Sequence, residues 1–414
     1  MCDLKDWTEM LCQFTFSNFR SYRDEAVLDM QASSAKEFSR SLIGCKDGQE
    51  FLPVAAIYGP NAGGKSNLLQ ALDYVRSAVT RPIIMLSHGS GFPTGGVPPL
   101  QRCAPFAFDE EHSKMPSSFE LYFRVGNYEY RYDLSVGGSD IAAEGLSRRK
   151  VGASRSALIF ERDGSAVKLG SSLRRSGVSV SFNPAIPYLS YLYMNADVEA
   201  VNAAVGWFLA GVFLNYNSSY LERALENILD ETDSPAITRF LRAVDVPVDG
   251  FRIERLEEED RQKVYVRHSV DGHGYELGLS QESAGTQKLM GLSSFILAAL
   301  EGGGLVVVDE LDAKLHPKLL RYLILLFKDP EINKAGAQLV FSSQDVSTMR
   351  NDVFRRDEIW FAARDEGEAS HLWSLSDLRE PNGNPVNKNA AYDKQYLAGR
   401  YGADPYLTRI EEWA

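Results

Sequence analysis

Hydrophobic and polar residues alternate in two stretches of the N-terminal third of the chain, which is the pattern of strands with one buried face. The first stretch covers residues 14–19 and 26–30, with a polar turn between them. The second alternates on both sides of Gly126-Asn127, over 119–123 and 128–134. This pattern predicts two antiparallel hairpins whose aromatic side chains lie on a buried sheet face rather than forming a platform for stacked bases.

A different pattern dominates the rest of the chain, where short continuous apolar runs are followed by longer runs with helical spacing. The short runs are 52–58, 305–308 and 339–342, and such runs are typical of strands buried on both faces. The runs predicted to be helical are 66–75, 220–229, 236–244, 287–300 and 319–327. Strands that alternate with helices predict an α/β sheet with parallel strands.

The stretch 146–275 is more polar and mixed, and it ends shortly after the acidic run 257–260. We interpret it as a partly helical insertion or lid. It divides the chain into an N-terminal half, 1–145, the insertion, 146–275, and a C-terminal half, 276–414.

The amino-acid composition of the chain is typical of a globular protein. Of its 414 residues, 44% are hydrophobic and 24% are charged, and no apolar run approaches the roughly 20 residues needed to cross a bilayer. No signal segment opens the chain, and its four cysteines are scattered without a CxxC pair. We therefore expect a cytoplasmic protein without disulfides or a cysteine zinc site.

The formal net charge of −12 argues against a surface that is basic throughout, but one local basic patch is present. Its members are Arg148, Arg149, Lys150, Arg155, Arg162, Lys168, Arg174 and Arg175. A solvated loop face is the favoured interpretation, because most charge runs are of that kind. Contact with nucleic acid is the alternative.

A glycine-rich loop carries the clearest chemistry. It comprises Gly59, Pro60, Asn61, Ala62, Gly63, Gly64, Lys65 and Ser66, with Asn67 following, and matches the phosphate-binding (P-loop) pattern between a predicted strand and a predicted helix. Backbone N–H groups and the helix N-terminus would bind ATP phosphates, Lys65 would reach the β and γ phosphates, and the Ser66 hydroxyl would ligate Mg²⁺. ATP and Mg²⁺ are the predicted cofactors.

Two acidic residues end the predicted strand 305–308. Asp309 can complete the shell of the Mg²⁺ ion, and Glu310 can polarise the attacking water. With a P-loop upstream, these two acids are the predicted Walker B metal ligand and catalytic base.

The segment 282–287 lies directly before the apolar helix and resembles a variant of the signature motif of ABC-type ATPases. That resemblance implies that Ser283 and Gly285 contact the γ-phosphate bound to a second subunit. The local alternative is an N-cap, in which Ser283 satisfies free amides of the following helix. Asp312 resembles the D-loop residue that crosses the same dimer interface.

Gln344 follows the strand 339–342, at the position where ABC heads carry a switch histidine. A glutamine can donate a hydrogen bond but cannot carry charge. The sequence therefore predicts that contact with the γ-phosphate persists while hydrolysis is slow.

Taken together, these motifs resemble the AbiL/RloA-type AAA-family ATPases of bacterial defence, whose heads are akin to those of the OLD-family and structural-maintenance-of-chromosomes ATPases. The segments that carry the resemblance are 16–22, the P-loop, 282–286, 309–317, 356–360 and 399–402. It implies an ABC-type P-loop ATPase head, with a mixed sheet, flanking helices, an antiparallel β-subdomain and a largely helical insertion. It also implies a homodimer around ATP and an operon-encoded effector, such as a Toprim-type nuclease or another toxin.

Three functions follow from these observations. The leading hypothesis is a nucleotide-gated sensor or scaffold that holds a toxic effector in anti-phage defence. The second is a DNA-repair or DNA-end-binding ATPase that uses the basic patch. The third, the ATPase subunit of a transporter, fits poorly with the N-terminal hairpin and the insertion.

Overall fold

The computed structural model describes residues 9–87, 100–176, 182–215, 225, 229–256 and 261–403. Most of these residues belong to two β-sheets and to the helices around them, and one helix packs between the two sheets. Among the described helices, none is long and apolar enough to cross a membrane.

The first sheet is antiparallel and has seven strands in the order β10-β9-β8-β7-β6-β1-β2. Its strands are β1 (Met10–Ser17), β2 (Ala26–Asp29), β6 (Ser117–Val125), β7 (Tyr128–Gly137), β8 (Asp140–Lys150), β9 (Ser156–Asp163) and β10 (Ala166–Leu169). Both predicted hairpins are confirmed, since β1 pairs with β2 and β6 with β7. The rings of Phe119, Phe123, Tyr130 and Tyr132 are buried, so the aromatic face is core.

The second sheet has six strands in the order β11-β15-β16-β5-β17-β18. They are β5 (Val54–Tyr58), β11 (Val212–Asn215), β15 (Leu305–Asp309), β16 (Gln338–Ser342), β17 (Ile359–Arg364) and β18 (Ser370–Ser374). Neighbours are parallel except β18, which is antiparallel to β17. Every residue of β5, β15 and β16 is buried, which explains their continuous apolar runs.

Helices pack against both sheets. They are α1 (Lys65–Ser87), α2 (Ser171–Ser176), α3 (Tyr188–Asn195), α4 (Glu199–Ala210), α5 (Ser234–Ala243), α6 (Ala284–Gly302), α7 (Pro317–Lys328) and α8 (Tyr392–Leu397). One core contains α1, the aromatic face of the antiparallel sheet and residues such as Val307 and Val340. The other contains α6, α7 and the residues that point the opposite way, such as Val306 and Val308. The fold is therefore the predicted mixed α/β arrangement with an antiparallel β-subdomain.

The predicted insertion, 146–275, needs one refinement, because it contains strands as well as helices. β9 and β10 extend the antiparallel sheet, and a separate three-stranded sheet precedes α6. The strands of that sheet are β12 (Gly250–Leu256), β13 (Arg261–Val270) and β14 (His273–Gly278). The helix predicted at 236–244 is confirmed as α5, whereas the one at 220–229 lies almost wholly outside the described residues, as does the acidic run 257–260. Two short strands, β3 (Ile43–Gly44) and β4 (Glu50–Phe51), pair near the N-terminus.

A buried charged cluster joins the N-terminal segment to the second sheet. The Arg355 guanidinium donates hydrogen bonds to Asp357 and to the backbone carbonyl of Glu37, while Asp357 accepts two from Ser33. Beside it, Lys328 pairs with Glu358, and both side chains are almost fully buried. Breaking one partner of such a pair leaves an uncompensated buried charge, so the segment 355–358 has a structural reason for its charges.

Candidate functional site

Three parallel strands end at the same edge of the six-stranded sheet, and each precedes one of the predicted motifs. β5 ends at Tyr58, before the P-loop, β15 ends at Asp309, and β16 ends at Ser342. The strands pair in register, with Phe341 of β16 opposite Ala56 of β5. Because the carboxyl ends of neighbouring parallel strands lie side by side, motifs far apart in sequence meet at this edge.

Close packing beneath the P-loop explains its glycines. Gly59 and Gly64 have φ angles of +147° and +112°, which residues with a side chain rarely adopt. A Cβ atom at Gly59 or Gly63 would overlap the carbonyl oxygen of Ala362 in β17, and one at Gly64 would overlap Ser370 in β18. The loop therefore lies directly on two strands, and only glycine fits at these positions.

The loop ends where α1 begins, at Lys65. Asn61 and Ala62 form its exposed tip, with Ala62 in the left-handed region at φ 62°, and Pro60 accepts a hydrogen bond from the Gly63 N–H at 3.1 Å. The first N–H groups of any α-helix lack a partner within the helix. The start of this 23-residue helix thus offers N–H donors and a positive dipole end beside the loop, which suits a phosphate.

The Lys65 side chain is buried against the loop. Its ammonium donates hydrogen bonds to the carbonyl oxygens of Gly59 at 2.8 Å and Pro60 at 3.0 Å. Burial lowers the pKa of Lys65, and the nearby carboxylates of Asp309, Asp312 and Glu310 oppose that shift. An ammonium with acidic neighbours on one side and the loop on the other is suited to bind phosphate oxygens.

Asp309 links the P-loop to β16. Its Oδ1 atom accepts hydrogen bonds from the Ser66 hydroxyl at 3.1 Å and from the Ser342 hydroxyl at 2.5 Å, and the residue is buried. A hydroxyl and a carboxylate in contact are hard oxygen donors of the kind that Mg²⁺ prefers. Ser66 and Asp309 therefore fit the predicted metal site.

The next residue, Glu310, is held in place through its backbone. Its φ angle of 55° is in the left-handed region, and its N–H donates to the Ser342 hydroxyl at 2.8 Å. The N–H of Leu311 donates to the carbonyl of Ser342 at 3.1 Å. Ser342 thus holds both predicted Walker B acids in place. The sequence analysis did not predict this role, although a pair of serines at the end of a buried strand is evident in the sequence.

Asp312 has an intramolecular role in the structure. Its Oδ2 atom accepts hydrogen bonds from the backbone N–H groups of Gln344 and Asp345, both at 3.1 Å. This carboxylate joins the loop after β15 to the loop after β16. Its predicted contact with nucleotide across a dimer interface stays a prediction.

Gln344 is exposed at the mouth of this site. Its backbone is held by Asp312, but its side chain makes no hydrogen bond with any residue that the structure describes. The amide is therefore free of internal partners within the described residues, and its predicted contact with the γ-phosphate stays a prediction.

The signature-like residues lie elsewhere on the molecule. Ser283 is exposed and caps α6, since its hydroxyl accepts a hydrogen bond from the Thr286 N–H at 3.1 Å, as the local alternative predicted. Gly285 is half-buried in the first turn. Within the described part of the chain, neither residue hydrogen-bonds to the P-loop. The structure thus leaves them accessible to another molecule.

Residues of the N-terminal hairpin contact the P-loop and the start of α1, a contact that the sequence analysis did not predict. The Ser21 hydroxyl accepts hydrogen bonds from Asn67 Nδ2 and from the Ser370 hydroxyl, each at 2.7 Å, and Tyr22 donates to the Gly64 carbonyl at 3.4 Å. Asn67 was predicted to bind the nucleotide, and here it connects α1 to the N-terminal hairpin.

Asn215 was missed as well. It ends β11 and lies opposite Asp309 in the parallel register, so it belongs to the same edge. Its strand is short and at the sheet margin, which left no clear signal in the sequence.

Part of the basic patch is engaged in internal contacts. Arg162 is buried and donates hydrogen bonds to the carbonyls of Pro184 and Ile186, and Arg148 stacks on the Tyr128 ring. Arg149 pairs with Glu129, and Lys168 pairs with Glu161. Lys150, Arg155 and Arg174 are exposed, so these contacts engage only part of the patch.

Comparisons with known proteins agree with this assembly of motifs. Residues 54–350 match the model of a family described as "AAA domain, putative AbiEii toxin, Type IV TA system". A comparison with curated protein sequences finds no match.

Among solved structures, the chain is similar to the "SMC head domain from Thermotoga maritima", at 15% identity and a TM-score of 0.44, over 88% of this chain and 98% of that one. It is also similar to the Smc head domain with a coiled coil and joint from Pyrococcus yayanosii, at 10% identity and a TM-score of 0.43, over 95% and 100%.

We predict that Lys65→Ala abolishes ATP binding, because it removes the one charged donor that the P-loop places beside the phosphates. Equilibrium binding of labelled ATP measures the effect, and Lys114→Ala, which removes an exposed lysine paired with Glu110, is the matched control. Unchanged affinity in the Lys65 variant would show that the loop does not bind the nucleotide.

Proposed function

Because the chain belongs to this AAA-domain family, we propose that it is a slow ATPase whose bound ATP holds two copies together around a partner protein. The observation that carries the proposal is the contact of Asp309 with both Ser66 of the P-loop and Ser342 of the neighbouring strand. This contact joins the phosphate-binding loop, the metal ligand and the segment before Gln344 at one edge of the sheet.

Different residues of this chain bind the phosphates, hold the metal and accept the proton. The P-loop N–H groups and the Lys65 ammonium bind and orient the phosphates, while Ser66 and Asp309 would hold Mg²⁺. The metal, when bound, neutralises charge that develops on the phosphate oxygens. Glu310 accepts a proton from the attacking water, and the hydrogen bond from its N–H to Ser342 keeps its backbone in place for that role.

The second copy supplies the signature residues. Ser283 and Gly285 sit at the start of the 19-residue helix α6, where unpartnered N–H groups and the helix dipole favour an anion. They are accessible, and they make no hydrogen bond with their own P-loop in the described part of the chain. A two-fold dimer would place them against the γ-phosphate of the partner, so each nucleotide would be enclosed by both subunits.

We expect slow hydrolysis of ATP because Gln344 replaces the histidine of ABC heads. A neutral amide forms weaker hydrogen bonds to the γ-phosphate than a charged imidazole, because charge-assisted hydrogen bonds are roughly twice as strong as neutral ones. Long occupancy by ATP would keep the dimer closed, which suits a scaffold better than a motor.

The role in defence rests on the family description and on the likeness to AbiL/RloA-type ATPases. We propose that the closed dimer holds an operon-encoded toxic effector, such as a Toprim-type nuclease, and releases or activates it on infection. The DNA-binding alternative has less support, because four of the eight basic residues of the patch, Arg148, Arg149, Arg162 and Lys168, are buried, stacked on a ring or paired with an acid.

We predict that Glu310→Gln accumulates an ATP-bound dimer, because the substitution keeps the side chain's size while removing the carboxylate that activates water. Size-exclusion chromatography with light scattering, with and without Mg²⁺ and ATP, measures the dimer. The product of the adjacent gene, added to the same samples, should co-elute with the dimer.

Glu301→Gln, an exposed change of the same kind at the end of α6, is the control and should behave as wild type. A Glu310→Gln protein that stays monomeric and hydrolyses ATP normally would refute the assignment. A dimer that never retains the adjacent product would refute only the scaffold role.

We also predict that Gln344→His raises the rate of hydrolysis about tenfold, since tenfold corresponds to about 1.4 kcal/mol of transition-state stabilisation. Single-turnover hydrolysis at saturating ATP measures this rate, and ATP affinity should change little. Gln344→Leu, which cannot hydrogen-bond, should be slower than wild type. Equal rates in all three proteins would remove Gln344 from the mechanism.

A further inference from the structure

A small cavity adjoins the metal-binding edge of the sheet. It has a volume of about 100 Å³ and lies between α1 and the ends of β11 and β15, with Gln70, Asp73, Asn215 and Asp309 as its polar lining. Its apolar walls come from Leu69, Phe213, Leu214 and Val307. A space of this size and polarity can hold several water molecules.

Gln70 presents an unpartnered acceptor in this region. Its Oε1 atom is buried, and it has no hydrogen-bond partner among the residues that the structure describes. Buried polar atoms in proteins are almost always hydrogen-bonded, since an unpaired one loses its hydration without compensation. The atom therefore calls for a donor other than the described protein groups, and a water molecule is the simplest one.

The position of Gln70 in α1 indicates where that donor lies. Gln70 follows Ser66 by four residues, so the two side chains occupy the same face of the helix. Ser66 in turn contacts Asp309, and Asp309 lines the cavity together with Gln70. The unpartnered acceptor is thus next to the two predicted metal ligands.

A cationic side chain of the same helix that also borders this region, Arg76, is already engaged. Arg76 donates to Asp73 at 3.0 Å and stacks over the Phe213 ring, with its guanidinium carbon 4.9 Å from the ring centre. It leaves the Gln70 oxygen to a smaller donor, and a water molecule fits the cavity.

We propose that Gln70 is a positioning residue for the metal site, whose Oε1 accepts a hydrogen bond from a water molecule in the coordination shell of Mg²⁺ at Ser66 and Asp309. The proposal rests on the proposed function, because it requires that Mg²⁺ binds there with ATP. Outer-shell partners of this kind orient metal ligands, and losing one typically costs about 10- to 100-fold in metal affinity.

The test is the Mg²⁺ dependence of ATP binding to the full chain carrying Gln70→Met, which keeps length and volume but removes the acceptor. We expect the half-saturating Mg²⁺ concentration to rise at least about tenfold, while binding of ATP without the metal is unchanged. The unfolding temperature without ligand should be equal to or higher than that of wild type, because an unsatisfied buried group has been removed. With Mn²⁺ in place of Mg²⁺, electron paramagnetic resonance should show the same loss of affinity.

Two further variants make the result specific. Gln70→Glu keeps an acceptor and should bind Mg²⁺ at least as tightly as wild type. Thr238→Val removes a buried hydroxyl of α5 that also has no hydrogen-bond partner in the described part of the chain and does not line the cavity, and it should leave the Mg²⁺ dependence unchanged.

An unchanged Mg²⁺ dependence in Gln70→Met, or an equal loss in Gln70→Glu and Gln70→Met, would overturn the proposal. Even if Gln70→Met fails to fold, a Gln70→Glu protein that binds Mg²⁺ about tenfold more weakly than wild type would contradict the proposal. Failure of the proposed function is distinguishable, because wild type itself would then show no Mg²⁺-dependent binding of ATP.

Discussion

The parallel pairing of β15 with β16, and of β16 with β5, is the constraint on which the site depends. Parallel strands present their carboxyl ends at one edge, and here that edge brings Asp309, Ser342 and the P-loop within hydrogen-bonding distance. Both faces of these strands are buried, so the register is fixed by the two cores rather than by the site itself. A shift of one residue would move Asp309 away from Ser66 and would also exchange side chains between the two cores.

The antiparallel sheet contributes to the site through the back of the P-loop. Ser21 contacts both Asn67 at the start of α1 and Ser370 of β18, while Tyr22 reaches the loop at Gly64. The segment 16–22 that carries part of the family resemblance is therefore a support for the nucleotide loop. The P-loop is therefore in contact with the N-terminal hairpin as well as with the six-stranded sheet.

The sequence was sufficient for those features that depend on local pattern. The P-loop, the apolar strand that ends in Asp309 and the two hairpins have strong periodic or motif signals, and the structure contains each of them where it was predicted. What the pattern could not supply were contacts made by the register of distant strands. Ser342 and Asn215 belong to the site only because β16 and β11 lie beside β15. The strands of 146–275 were missed because their apolar alternation is short, covering Phe251 and Ile253 in β12 and Val264 and Val266 in β13, and because β14 is almost entirely exposed.

The central claim is that two copies complete each nucleotide site, with the P-loop from one and Ser283 from the other. Mixing Lys65→Ala protein with Ser283→Arg protein tests it directly, since neither homodimer has an intact site but each mixed dimer has one. The account predicts that each variant alone is inactive, and that an equal mixture hydrolyses ATP at about a quarter of the wild-type rate, because half of the dimers carry one of two sites. A mixture as inactive as its components, or a Ser283→Arg protein that is fully active alone, would contradict it.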